Sequence, residues 1–494
     1  MSAVPLEFND LLWSSDEIIA SRYEKSACAL IAVKQILEKY LPLAGKEQSF
    51  LKQYQYCMEV DQEIFLKVWT DPTAYYWVRL AYQFLANHQS GAALDGLATR
   101  YCEYYSFNSS ADALEYHLQQ FNRFTLALHF LAGTDCKFDE PLSVLLPFAI
   151  PATQISIGIN GKGDILAISK GILSLQIDDE IIPVKLEPGT YNGITVNKCP
   201  VTKSADFELR LHPHAFNNLP GLTFTDPVLA ASLDFQQEHA GLVGQTLEKI
   251  QRYSPRNYKQ FTEMIRYIAL KNMKTGDYTN LSHSELPGTF VASMVNNPYM
   301  LAETFIHELH HNRLFFVEEK GPFFGTEKVH PLNVLEFYSP WRNDLRSLHG
   351  IFHAVYVYIP VTEYWLSIIG ADDTDEMLAD FAWQRLIIMI LQLRIGLLQL
   401  QSFAELTDYG RAVLENMFQP VSKMERKIEE LKKSRPDTPV MTKFFSEEGS
   451  LELQISKITN QPLTAVEYVR EHVTLYAPQD QQKVIFNELI SGNI

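Results

Sequence analysis

Cysteine is scarce in this chain: only 5 of its 494 residues are cysteines. No two of them form a CxxC pair. An odd number without such a pair argues against a disulfide framework and against a thiolate zinc site. We therefore expect a reducing environment and predict a cytoplasmic protein. The cysteines are Cys28, Cys57, Cys102, Cys136 and Cys199.

Basic residues are also fewer than acidic residues. The 42 Lys and Arg residues face 59 Asp and Glu residues, which gives a formal net charge of −17, and the basic residues form no long run. A strongly acidic chain is a poor general partner for nucleic acid or for anionic lipid. We therefore expect neither nucleic acid nor a membrane among the partners of the protein.

A secretory signal and a long hydrophobic run are missing as well. Residues 1–10 contain neither the basic nor the apolar segment of a signal peptide. Residues 386–400 form the most apolar stretch, but Gln392, Arg394 and Gln399 interrupt it. Because it is too short and too polar to span a bilayer, this stretch predicts a buried helix.

What remains is the composition of a folded protein, with 46% hydrophobic and 20% charged residues. The length predicts about two to four domains. The predicted fold class is α+β: mostly α-helical, with a small antiparallel β module inserted between an N-terminal helical region and a zincin-like HExxH helical core. The predicted regions are 1–138 (N-terminal helices), 139–225 (β module, with a role in substrate recognition), 226–435 (metal-binding catalytic region) and 436–494 (C-terminal segment).

The β module is predicted from short β-branched runs that turn-forming residues separate, at residues 155–159, 165–168 and 172–177. A further strand-like run, residues 289–295, precedes the HExxH segment. At a sheet edge this strand could pair with an extended peptide. The alternative is an ordinary core strand.

The segment that predicts chemistry is His307-Glu308-x-x-His311, an HExxH pattern. Asn297 can cap a helix and Pro298 suits its first position, so a helix is predicted to begin there. Residues four positions apart lie on one helix face, so both imidazoles can reach a single metal ion. Glu308 lies beside that face, where it could act as a base or orient a bound water. His310 faces away from the pair.

A third protein ligand is needed, and the sequence offers two sources. A gluzincin-like peptidase would take a Glu from a later helix, and Glu336 and Glu363 are the candidates. Glu318 and Glu319 are predicted to lie too close along the HExxH helix to bend back to the metal.

The other source is a second histidine pair, His349 and His353, again four positions apart. On a helix, Arg346 would share their face and lie roughly 10 Å along the axis from His353. A metal with three histidines and a nearby arginine suits a chelating oxo-acid such as 2-oxoglutarate. The alternative is that His349, His353, Arg346 and Arg342 are ordinary core or surface residues.

Three segments resemble one known family, the bacterial HExxH peptide-modification proteins, whose genes accompany ribosomally made, modified peptides. They are residues 69–77, the HExxH segment and residues 338–356. The family is described as iron(II)- and 2-oxoglutarate-dependent peptide β-hydroxylases, although its motif suggests a protease. One departure is Ser347, where the family favours proline, close to the expected start of the helix with the second histidine pair.

The resemblance implies a metal, a cosubstrate and a substrate. His307, His311 and His353 would bind Fe(II), and Arg346, with Arg342 second, would hold the carboxylate of 2-oxoglutarate. The substrate would be a ribosomally synthesised precursor peptide, which is hydroxylated at a β-carbon.

Other candidate residues have less definite roles. Glu308 would orient a metal-bound histidine, since hydroxylation needs no peptidase-type base. His349 and Glu336 are candidates to orient a ligand or to replace one. Two alternative functions remain open: a zinc metallopeptidase with Glu308 as its general base, and a peptide-binding partner protein with a structural metal site.

Overall fold

The computed structural model shows an α+β protein that is mostly helical, as predicted from the sequence. The predictions for residues 1–10 and for much of the C-terminal segment 436–494 lie outside the residues that the structure describes. Those residues are 15–40, 46–204, 207–216, 219–220, 222, 232–272, 280–325, 335–371, 374–433, 443–445, 451–453 and 463–491.

The first part of the chain has helices followed by strands. The helices are α1 (Ser15–Tyr40), α2 (Lys46–Glu59), α3 (Gln62–Trp69), α4 (Pro72–Ser90), α5 (Gly96–Tyr105), α6 (Ser110–Gln119) and α7 (Asn122–Ala132). The strands are β1 (Cys136–Ala149), β2 (Ile155–Ser169), β3 (Ile172–Ile177), β4 (Glu180–Lys185), β5 (Gly189–Tyr191), β6 (Ile194–Lys198), β7 (Val201–Ser204) and β8 (Phe207–Leu211).

The second part is again mostly helical. After a short 3-10 helix, Pro213–Phe216, come α8 (Leu233–Tyr253), α9 (Pro255–Met264), β9 (Tyr267–Lys271), β10 (Thr289–Ser293), α10 (Pro298–Glu318), β11 (Phe337–Tyr338), β12 (Leu345–Arg346), α11 (Leu348–Ile369), α12 (Glu376–Phe403), α13 (Asp408–Lys432), β13 (Lys443–Phe445), β14 (Leu451–Leu453), α14 (Ala465–Tyr476) and α15 (Gln479–Ser491).

The chain divides into two compact units rather than into the four predicted regions. One unit comprises residues 19–244 and 264–294, and the other residues 1–18, 245–263 and 295–494. The predicted boundary after residue 138 separates helices from strands but not two units, because α7 packs on β1 and β2. Asn122, for example, donates a side-chain hydrogen bond of 2.8 Å to the carbonyl oxygen of Glu140.

The first unit contains the predicted antiparallel module. Its main sheet has the strand order β4-β3-β2-β6-β5, β1 also pairs with β2, and all of these pairings are antiparallel. β7 and β8 do not belong to this sheet, although they lie within the predicted module. They form a second sheet with β9 and β10, in which β8, β9 and β10 run parallel. The predicted single module therefore ends at β6, and β7 and β8, although antiparallel to each other, belong to the second, mixed sheet.

The strand predicted over residues 289–295 is β10, which ends the order of the second sheet. Every residue of this strand is buried, and Val291 exchanges both of its backbone hydrogen bonds with Leu281, at 2.9 Å each. The edge expected to accept an extended peptide is therefore already paired at its centre. The ordinary core strand, which was the alternative interpretation, describes β10 better.

The second unit holds the HExxH helix. α10 begins as predicted: the Asn297 side chain accepts from the backbone N–H groups of Tyr299 and Met300 at 3.0 and 3.1 Å, and Pro298 is the first helical residue. A buried carboxylate then links three helices, since Glu303 of α10 accepts from Trp365 of α11 at 2.6 Å and from Arg385 of α12. These contacts fix the helix immediately before its histidines.

The buried helix predicted over residues 386–400 lies within α12, and that prediction is confirmed. Contrary to the expectation for this stretch, the helix is not too short and too polar to span a bilayer: among the described residues, α12 is long and apolar enough to cross a membrane by length and composition, with a mean hydropathy of 1.6 over a window that is 72% buried inside the protein. Its polar residues have partners: Gln392 and Gln399 donate to the carbonyl oxygens of Pro340 and Tyr338 at 2.7 and 2.9 Å.

Candidate metal centre

The two histidines of the HExxH segment converge. The Nε2 atoms of His307 and His311 lie 3.1 Å apart, on successive turns of α10. Two nitrogen ligands of one ion, each about 2.1 Å from the metal, are separated by roughly 3.0 to 3.4 Å in octahedral or tetrahedral geometry. The pair therefore has the spacing that a shared metal ion requires.

Both imidazoles are also in the protonation state that binds a metal. Burial lowers the pKa of His307 to about 4. Burial, together with the neighbouring histidines, lowers the pKa of His311 well below its usual value. A metal binds neutral imidazole, so no proton has to be displaced near neutral pH.

Glu308 and His310 occupy the positions that the helical pattern predicts. Glu308 is 2% exposed, and its Oε1 atom lies 3.9 Å from Nε2 of His307. It is close enough to act on a group bound at the histidine pair, either as a base or by orienting it. His310 faces α9 instead, where its Nε2 atom lies 2.8 Å from Oδ1 of Asn257.

A third histidine reaches the pair from α11, which runs antiparallel to α10. Tyr358 lies against His307, with ring centroids 4.8 Å apart, and His353 lies against His311, with centroids 5.7 Å apart. His353 thus lies beside the pair and contacts His311, but among the described residues the group whose ligand atoms all lie within 4.8 Å of one another contains His353 with Glu318 and His349, not with His307 and His311. Burial lowers the pKa of His353, although Glu318 opposes this effect.

Glu318 is the residue that the sequence interpretation missed. Its Oε1 atom lies 2.6 Å from Nε2 of His349 and 2.9 Å from Nε2 of His353. The sequence interpretation dismissed Glu318 because it would have to bend back along α10 to reach the metal. Glu318 contacts these histidines without bending back. The antiparallel helix α11 brings the histidines to it. The sequence did contain a signal, because Glu318 lies two turns beyond His311 on the same helix face.

Glu318, His349 and His353 form a group of their own. Their ligand atoms all lie within 4.8 Å of one another, and among the described residues they are a set that could hold a metal ion. Burial alone would raise the pKa of Glu318, but its hydrogen bonds to the two histidines outweigh burial and lower the pKa to about 2. The carboxylate is therefore ionised at neutral pH.

The arginines are placed differently from the prediction. α11 begins at Leu348, with Ser347 as its cap accepting from the Gly350 N–H at 3.2 Å, so Arg346 precedes the helix and cannot share its face. Arg346 lies in β12 and pairs with Asp344 at 3.0 Å. Arg342 pairs with the same carboxylate at 3.1 Å. The predicted alignment of Arg346 with His349 and His353 on one helix face was wrong. Ser347 caps the N-terminus of α11, so the helix does not extend back to residue 346.

The loop that carries both arginines is nevertheless firmly held. Tyr338 and Asn343, one on either side of Trp341, both contact His472 of α14: the Tyr338 hydroxyl lies 2.6 Å from Nδ1, and Asn343 Oδ1 lies 3.1 Å from Nε2. Trp341 stacks on Tyr358, with ring centroids 5.0 Å apart and planes 7° from parallel. Since Tyr358 also contacts His307, a chain of aromatic contacts connects this loop to the metal-binding histidines.

The two carboxylates considered for a gluzincin-like site lie elsewhere. Glu336 is exposed, and its backbone carbonyl accepts from Gln481 at 2.9 Å. Glu363 lies ten residues after His353 on α11, about 15 Å along the axis. Its Oε1 atom is buried without a hydrogen-bond partner, and burial raises its pKa to about 8, although the charges of Arg256 and Lys423 act against this. The glutamate that meets the histidines is Glu318.

No protein-family model matches this chain, and no curated protein matches it either. The chemistry of the centre must therefore be inferred from its side chains.

Proposed function

We propose that this protein is a non-heme Fe(II)- and 2-oxoglutarate-dependent hydroxylase, which hydroxylates a β-carbon in a ribosomally made precursor peptide. The observation that supports this most is the close pair of His307 and His311 on α10, with Nε2 atoms 3.1 Å apart, beside which His353 of α11 lies against His311. Their resemblance, with residues 69–77 and 338–356, to the HExxH peptide-modification proteins supports the same conclusion.

The donor set fits Fe(II). His307, His311 and His353 would hold the ion, and three neutral imidazoles leave its positive charge for an anionic cosubstrate to balance. Open positions on a metal with three protein ligands suit a chelating oxo-acid. Bound Fe(II), with 2-oxoglutarate and dioxygen, supplies the oxidising chemistry that replaces a hydrogen of the peptide by a hydroxyl group.

The protein itself contributes binding and orientation. Arg346, with Arg342 second, would pair with the distal carboxylate of 2-oxoglutarate in place of Asp344. That exchange costs little, because Asp344 is 50% exposed and exposed ion pairs contribute about 1 kcal/mol or less. Glu308 would orient His307 or a group bound beside it, and the buried helices α10 and α11 would keep bulk water away.

The zinc metallopeptidase remains the second candidate because of one observation. Glu308 is almost fully buried beside His307, which is also the place of the general base in an HExxH peptidase. A partner protein with a structural metal site is the third candidate, and the aromatic and polar contacts of the 338–346 loop suit it equally well.

One experiment separates these candidates. Protein purified anaerobically is loaded with Fe(II), mixed with 2-oxoglutarate and a peptide encoded by a neighbouring gene, and exposed to air. We expect a peptide mass gain of about 16 Da, one oxygen atom per event, with one succinate formed for each. Cleavage of the peptide by zinc-loaded protein, without succinate, would contradict the proposal and favour the peptidase.

A matched control uses the neighbouring histidine. His311→Ala should abolish succinate formation, whereas His310→Gln should retain it, because His310 faces Asn257 rather than the centre. If neither variant changes a reaction that the wild type performs, the histidine pair is not the reactive site. If metal removal leaves peptide affinity intact and no product forms, the binding protein is favoured.

A further inference from the structure

We propose that the seam between α10 and α11 contains a second divalent-cation site, formed by Glu318, His349 and His353, and that an ion bound there inhibits the enzyme by taking His353 away from the HExxH pair. The cation site stands on its own geometry. The inhibitory role rests on the proposed function, because it requires His353 to serve the catalytic ion.

The donor set is one that transition metals prefer. Two histidines and one carboxylate bind Zn²⁺ in peptidases and Fe²⁺ in many oxygenases. Here the Nε2 atoms of His349 and His353 both contact one oxygen of Glu318, at 2.6 and 2.9 Å. Ligands on opposite sides of one ion are about 4.2 Å apart, so small side-chain rotations would seat a cation among these atoms.

This group cannot belong to the ion held by the HExxH pair. Glu318 lies eleven residues after His307 on α10, which is about 16 Å along the helix axis. A single ion with ligand distances near 2.1 Å cannot reach both side chains. The two sets of ligands therefore form two separate metal sites along the interface of α10 and α11. We call the HExxH pair the first station and the group of Glu318, His349 and His353 the second station.

His353 is the residue that the two stations share. It lies between His311 and Glu318, in contact with both. A neutral imidazole has one nitrogen with a free lone pair, since the other carries the proton, so His353 can serve one ion at a time. An ion at the second station therefore leaves the first ion with only His307 and His311 as protein ligands: both ions can be bound in excess metal, but the first lacks its third ligand.

Charge and access both favour a second ion. Glu318 places a carboxylate in direct contact with both histidines, which offsets part of the charge of a divalent cation bound there. The side chains of Glu318 and His349 are 26% and 32% exposed, whereas that of His353 is 12% exposed. An ion can thus enter from the His349 side without passing the HExxH pair.

The test is a zinc titration of the full-length protein, with bound metal measured after equilibrium dialysis. We expect two equivalents per chain for the wild type and about one for His349→Ala and for Glu318→Gln, which leave the HExxH pair intact. His307→Ala should lose the other equivalent. His88→Ala, at an exposed histidine, is the control and should bind two. Thermal melts identify a variant that does not fold. If one of His349→Ala and Glu318→Gln fails to fold, the metal content of the other decides whether the second site exists.

A second measurement tests inhibition. In the succinate assay, we expect excess Zn²⁺ to inhibit wild type, and the concentration for half inhibition to rise at least tenfold in His349→Ala, each relative to its own activity without zinc. One equivalent in the wild type, or two in both site variants, would overturn the second site. Two equivalents without any succinate would leave the second site standing and refute the proposed function. Loss of succinate in His349→Ala but not in His307→Ala would mean that the catalytic ion occupies the second station.

Discussion

The Nε2 atom of His353 lies 2.9 Å from Oε1 of Glu318, a carboxylate on the same helix as the HExxH pair. This contact joins the two helices that supply every histidine of the centre. It exists because α11 runs antiparallel to α10, so that residues far apart in the sequence meet at one seam. The predictions below follow from this arrangement and from the buried contacts that support it.

Glu308→Gln distinguishes hydroxylation from peptide hydrolysis. Glutamine keeps the size of the side chain but cannot accept a proton as a base. A peptidase should lose about 10² to 10⁴ in rate. A hydroxylase, in which Glu308 only orients a neighbour, should stay within about tenfold of the wild type, as measured by succinate formation. Glu319→Gln, at the end of α10, is the control.

Arg346→Ala tests how 2-oxoglutarate is held. Losing a charge-assisted pair with a carboxylate costs about 1.5 to 3 kcal/mol, so the KM for 2-oxoglutarate should rise roughly 10- to 100-fold. Arg342→Ala should have a smaller effect, because its side chain is 60% exposed. Asp344→Asn removes the competing carboxylate and should lower the KM. An unchanged KM in Arg346→Ala would exclude Arg346 from cosubstrate binding.

Glu303→Ala tests the support of the HExxH helix. It would leave the guanidinium of Arg385 buried without its partner, and breaking a buried pair in this way costs about 3 to 5 kcal/mol of unfolding free energy. Glu429→Ala, which breaks an exposed pair with Lys432, should cost about 1 kcal/mol or less. Urea unfolding followed by circular dichroism gives both values. Equal losses in the two variants would contradict the importance of the Glu303 contacts.

Glu363→Gln tests the buried carboxyl of α11. Its pKa of about 8 lies above the ordinary value of 4.5, so the folded protein holds this proton more tightly than the unfolded chain does. This group therefore makes the stability fall as the pH rises from 4.5 to 8. Glutamine removes that dependence and should stabilise the protein by on the order of 4 kcal/mol at pH 8, with little difference at pH 4.5. Stability curves that stay parallel across this range would show that Glu363 is not responsible.

Local sequence patterns predicted the HExxH helix well. Asn297 and Pro298 set its start through side-chain capping and a fixed backbone angle, and both effects act within a few residues. The face shared by His307 and His311 follows from helical geometry alone. Gln392 and Gln399 show the limit of such patterns: they made the stretch look too polar for a membrane span, but the pattern could not show that each has a buried carbonyl as its partner.

The parts that failed depend on contacts between distant segments. Glu318 was dismissed by its distance along one helix, and only the docking of α11 reveals its role. Arg346 was placed on a helix face because the histidine spacing continues through it, yet Ser347 caps the helix after it. The helices before residue 138 and the strands after it share one core, a long-range contact that no local pattern shows.

The most direct test is the amount of Fe(II) that stays bound to each chain after anaerobic loading and desalting. If His307 and His311 hold the catalytic ion, His311→Ala should retain about one ion fewer per chain than the wild type, and His310→Gln should match the wild type. If His311→Ala retains as much iron as the wild type, the HExxH pair is not the metal-binding centre.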